Sequence, residues 1–236
     1  MDHQSLVIHS DSLITSEDKQ IFINRIQSII CLQLVFICMY LSLCYFSKPI
    51  HDFLISDVGS ATSILIFYCS FIHFTILLCH PTDFRHPPYS WINLIMFTLF
   101  LAYNIGYLSV IFNPDFIVLS GISSLSLFAP LTAYSVQNKI EYTIHGNIIL
   151  IGLLSFILFC SMNALLKDQT NNIILSLGGS QLLPWFVLYD THSIVEGENT
   201  KYGLAMNEYV FGTLTIYYDI IHSFIKLPKV ITHYIL

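Results

Sequence analysis

The chain has 236 residues, 55% of them hydrophobic and only 10% charged, with a mean hydropathy of +0.69. That balance lies outside the range of soluble domains and marks an integral membrane protein. Nine Lys and Arg against fifteen Asp and Glu give a formal net charge of −6, and the cations are scattered singly, which excludes a nucleic-acid partner because phosphate backbones select clustered cations.

Residues 1–24 read as a polar cytoplasmic segment. They hold no short apolar core followed by small residues, so no cleaved signal peptide is expected and the first span does the targeting. A bilayer core about 30 Å thick needs roughly 20 apolar residues per helix. Such runs lie near 27–46, 58–79, 91–112, 116–136, 144–166, 172–192 and 206–227. "SKPIHD", "HPTDFRHPP", "NPD" and "QNKIEYT" separate the first five, with the Pro, Asn and charge content of interfacial turns. Within the fourth, Pro130 predicts a bend. The sixth carries "GGSQLLP" (178–184), which predicts a kink near Pro184 tolerated by packed neighbours. Glu208, Asp219 and Lys226 in the seventh keep it from facing lipid along its whole length. The expected fold is all-α, a polytopic membrane bundle of seven hydrophobic segments over 25–230, with 231–236 as a tail.

With a cytoplasmic N-terminus, Lys19, Arg25, Arg85, Lys139 and Lys201 fall inside, and only Lys48 and Lys167 fall in outer turns. The positive-inside rule favours that orientation, and Lys226 and Lys229 favour a re-entrant seventh segment over a full span. The six cysteines lie in or beside apolar runs and read as small buried hydrophobes, neither disulfides nor a metal site. Tyr89, Trp91, Tyr142 and Trp185 sit near helix ends, as interfacial rings do. Gly106, Gly121, Gly152 and Gly212 are expected to permit close helix approach.

The intramembrane carboxylates carry the functional reading. An Asp at a helix centre costs about 2.5–3.5 kcal/mol, so Asp190 and Asp219 call for partners. Consecutive helices joined by a short loop pack antiparallel, which brings these two level with each other. Two carboxylates in a low-dielectric site cannot both ionise cheaply, so they share a proton. Protonated, the pair ties two helices together; ionised, it offers hard oxygens to calcium, weakly, since calcium takes six to eight ligands. A rival reading is an intramembrane zinc hydrolase built on Asp190, His192, Asp219, His222 and His73, but no HxxxH pair occurs and His51, His80, His86 and His145 flank spans or sit in loops. A third is a non-conducting scaffold that binds other membrane proteins.

"VLYDTHSIVE" (187–196) followed by "NEYVFGTLTIYYDIIHSFIKLPKV" (207–230) resembles the C-terminal signature of the transmembrane BAX inhibitor motif family, which spans BAX inhibitor, Lifeguard and Golgi anti-apoptotic proteins. "FINRIQSIICLQL" (22–34), "FTLFLAYNIGYLSVIFN" (97–113) and "LTAYSVQNKIEYT" (131–143) are similar to its first helix, its third helix and the end of its fourth. The likeness covers about residues 20–230 and suits a viral copy as well as a divergent cellular member. It implies seven helices with the seventh central, and no enzyme. The implied activity is a pH-sensitive calcium leak in an endoplasmic reticulum or Golgi membrane that lowers luminal calcium and restrains apoptosis. The family's paired aspartates fall on Asp190 and Asp219, with Glu208, His222, Asn104 and His73 as residues flanking the pair or lining its pathway. Calcium is then a permeant ion, with no tightly bound cofactor. The implied partners are the bilayer and apoptosis-regulating or calcium-release membrane proteins. Two positions depart from the family: Asn104 stands where many relatives carry an acid, and the second span has no basic residue, His73 being its only deep titratable group.

Overall fold

A computed structural model describes residues 16–80, 83–111, 114–137, 144–165, 170–195, 204–205 and 207–219. The regular structure among them is helical: α1 (Ser16–Phe46), α2 (Lys48–Ile55), α3 (Asp57–Cys79), α4 (Tyr89–Ile111), α5 (Pro114–Gln137), α6 (Ile144–Leu165), α7 (Thr170–Val195) and α8 (209–219). Each of the first six expected apolar runs is the heart of one helix, and the seventh is described only over 207–219. Glu17–Phe46, Asp57–Leu77, Tyr89–Ile111 and Ile117–Tyr134 are long and apolar enough to cross a membrane, and Ile151–Ser161 is a shorter apolar stretch.

The boundaries differ from hydropathy in two places. α1 begins at Ser16, well before the apolar run, with Glu17 and Asp18 in its first turn, where carboxylates favour a helix N-terminus. The charges on its outer face hide an inner stripe: Phe22, Ile23 and Ile26 are buried in the bundle, and their packing extends the helix. The "SKPIHD" turn contains α2, which anchors through buried Leu54. Ser56 then caps α3, its Oγ accepting from Gly59 N at 3.1 Å. At Gly59 a Cβ would stand 1.9 Å from the Phe53 carbonyl oxygen, so the tight α2–α3 corner requires glycine.

α1 packs against α4 and α5, α5 against α7, α7 against α6, and α3 against α4. α8 runs among them. Every residue from 210 to 218 is buried. Ile216 joins one cluster with Phe22, Ile26, Ile30 and Leu34 of α1, Phe128 of α5 and Val187 of α7. Val210 and Leu214 pack with Leu94 of α4, and the Tyr218 ring lies 5.2 Å from Phe74 of α3. A helix buried on all faces can carry polar side chains that lipid would reject.

Two expectations about small residues need correction. Cys44 is buried, but Cys69, Cys79 and Cys160 are exposed on outer faces, where a small apolar side chain meets lipid as readily as core. Gly106 faces Tyr40 and Gly212 faces Phe22 and Ile26, as close approach requires, whereas Gly152 has nothing within 4 Å of a Cβ. α7 runs unbroken through Pro184, and the expected seventh span beyond residue 219 lies outside the described residues.

Candidate functional site

α7 carries Asp190 about a turn and a half before its end at Val195. Its preceding turns seat Val187 and Leu188 in the core, and the 3.6-residue period then turns Asp190 inward too, leaving it 8% exposed beside fully buried Thr191. α8 presents Asp219 from the other side, and the two carboxyls lie within hydrogen-bonding reach of each other. Asp190 Oδ2 is buried and, among the described residues, receives no hydrogen bond from an amide, hydroxyl or amine. Two carboxyls in such contact bond only if a proton lies between them.

The other expected residues occupy different places. Glu208 precedes α8, eleven residues or about 16 Å along the axis from Asp219. There Arg85, from the α3–α4 connection, grips it with two parallel bonds, Nε to Oε1 at 2.5 Å and Nη2 to Oε2. The Ala205 backbone N–H also donates to Oε2 at 2.9 Å. Burial works to raise the Glu208 carboxyl, but the hydrogen bonds from Arg85 and Ala205 and the guanidinium charge outweigh it and hold the group below its ordinary range. The same bonds hold Arg85 above its own. Asn104 donates to Ser70 Oγ at 2.9 Å and so joins α4 to α3. His73 sits edge-on to Phe100, with Nε2 buried and without a hydrogen-bond partner among the described residues. His222 lies outside the described residues.

Three features were not anticipated from sequence. Arg85 appeared only as a topology charge, and its partner is 123 residues away with no local pattern linking them. Gln33 donates to Thr98 Oγ1 at 2.5 Å and accepts from the Tyr217 hydroxyl at 3.0 Å, a buried junction of α1, α4 and α8. Arg25 stands 4.9 Å from the centroid of the Tyr209 ring, which also meets Trp91. Beside the Arg85–Glu208 pair is a cavity of about 140 Å³, lined among others by His86, Trp91, Asn207 and Tyr209. Among the described residues no three His, Cys, Asp or Glu side chains converge as a metal set. The two carboxyls offer at most four oxygens, fewer than the six to eight that a resident calcium ion takes.

The family model described as "Inhibitor of apoptosis-promoting Bax1" matches residues 19–233. Protein lifeguard 4 of Mus musculus is 25% identical over 209 residues, 88% of this chain and 83% of that protein. Protein lifeguard 3 of Homo sapiens is 23% identical, across 86% of this chain and 65% of that protein. The Golgi anti-apoptotic protein of Vaccinia virus (strain Lister) is 24% identical, across 89% and 84%. No solved structure matches the chain.

Proposed function

The chain belongs to the family of inhibitors of apoptosis-promoting Bax1, and from that premise we propose that it restrains apoptosis as a pH-sensitive calcium leak in a Golgi or endoplasmic reticulum membrane. The meeting of Asp190 on α7 with Asp219 on α8 carries this reading. With one proton between them the two carboxyls bond and hold the helices together. Loss of that proton places two negative charges side by side in a poorly solvated site. Their repulsion loosens the α7–α8 contact while their oxygens attract calcium. Flux therefore rises with pH. With α8 innermost, the pair lies about 16 Å along the helix from Glu208, which on this reading marks the mouth. Lower luminal calcium then leaves less to be released toward apoptotic targets. The Golgi location draws on the name of the viral relative, and the bundle bears on other apoptosis-regulating or calcium-release membrane proteins only through the ion.

The test is calcium flux through purified protein in liposomes between pH 6 and 8, for wild type, Asp190→Asn and Asp219→Asn. Wild-type flux is expected to climb severalfold across that range. Either amide holds the contact without a proton to lose, so each variant is expected to conduct weakly and with no pH dependence. Folded, inserted wild type that passes no more calcium than empty liposomes would sink the leak and leave a non-conducting scaffold, with a zinc assay as the check on a hydrolase.

A further inference from the structure

The central helix has a second charged contact, remote from the aspartate pair. We propose that Arg85 is the barrier residue of the α8 mouth: its guanidinium clamps the α3–α4 connection across Glu208, closes the mouth, and withholds the Glu208 carboxylate from entering cations.

The geometry is that of a clamp. The connection is short, the structure describing His80 and then Asp83 to Pro88, and its one arginine reaches a residue 123 positions away with both arms of its fork. A bidentate pair of this kind fixes orientation as well as distance. Little solvent reaches it, the side chains being 24% and 11% exposed. Glu208 is itself fixed from behind, since its backbone N–H donates to the Ala205 carbonyl and its Oε2 accepts from Ala205 N. The clamp therefore joins two connections at the start of the helix that carries Asp219. Arg25, over Tyr209, adds a second cation at the same level. While Arg85 is paired, Glu208 is neutralised and Arg25 stands at the same level, so the contact offers calcium no free carboxylate. The adjoining cavity of about 140 Å³ gives the guanidinium somewhere to move. Once it moves, Glu208 keeps the Ala205 N–H and presents an unneutralised carboxylate at the head of the path.

The barrier role rests on the leak reading; the clamp does not, and hydrogen exchange in nanodiscs reads it separately from flux. Arg85→Gln is expected to speed exchange across 83–90 and 204–209 at least tenfold. The swap of Arg85→Glu with Glu208→Arg should restore protection, and it also serves if Arg85→Gln fails to fold. In liposomes at pH 7, Arg85→Gln should carry severalfold more calcium than wild type. Exchange in Arg85→Gln like that of wild type overturns the clamp. Faster exchange with unchanged flux in a conducting protein overturns the barrier. If wild type passes no calcium at all, the leak reading fails and exchange alone decides the clamp.

Discussion

A Cβ at Gly106 would lie 2.5 Å from Cε1 of Tyr40 on the facing helix, and one at Gly152 would meet nothing within 4 Å. The two glycines look alike in sequence, each inside an apolar run, yet packing gives them opposite sensitivities. Gly106→Val must push the Tyr40 ring away from Cys44 or separate α1 from α4, at a cost of about 1–3 kcal/mol. Gly152→Ala gains helix propensity of roughly 0.5–1 kcal/mol and meets no neighbour. Melting in detergent should drop by several degrees for Gly106→Val and hold or rise for Gly152→Ala. Equal losses in both would mean that α1 and α4 are not in close contact. The aspartates were more legible than the glycines, because a buried carboxylate is expensive wherever it sits and must find a partner. Arg85 and Gln33 were not legible, because a loop arginine and a helical glutamine have inexpensive alternatives in water and the sequence does not show which residues will face them.

Among the elements, hydropathy located α3 to α7 because each helix is apolar on nearly every face, and it placed α1 too late because Glu17, Asp18, Lys19 and Arg25 mask a buried stripe. α2 was missed for its length and composition: eight residues are too few for a span, and Pro49 and Asp52 read as an interfacial turn. The entrance to α8 has a pH dependence of its own. Glu208 has an ordinary value of 4.5 and is held below it in the fold, so the native protein keeps this carboxylate ionised where the unfolded chain has begun to take up a proton. Its stabilising share is complete above that ordinary value and disappears as pH falls through the lower, native one. Wild type should therefore melt higher than Glu208→Gln at pH 6, with the gap closing as pH falls below the ordinary value of 4.5. Thermal melts of the two proteins across that range check it, and parallel curves would show that the pair contributes no stability through its charge.

For the molecule as a whole, the Arg85–Glu208 pair limits how the chain crosses the membrane. The two side chains are in contact, so the α3–α4 connection and the segment before α8 share one face of the bilayer. An even number of crossings must separate them. α4 and α5 are each long and apolar enough to cross. Hence α6 and α7 either both cross or both do not. Their 22 and 26 residues correspond to about 33 and about 39 Å of helix, sufficient for a hydrocarbon core of about 30 Å. Two such helices left on one side would hold long apolar surfaces in water, with Leu153, Phe156 and Ile157 each more than half exposed. Two crossings would avoid that cost, and the prediction is then of six helices through the bilayer ahead of α8. The positive-inside count predicts that the N-terminus and Arg85 are cytoplasmic. The sequence has no Asn-x-Ser/Thr acceptor of its own, so inserted acceptors can map the path. With spacers long enough to reach the transferase, acceptors beside Lys48 and Lys167 should be glycosylated, and those beside His86 and Asn207 should not. Glycosylation at only one of His86 and Asn207 would break the shared face, and with it the ion pair that the crossing argument and the barrier at the α8 mouth both require.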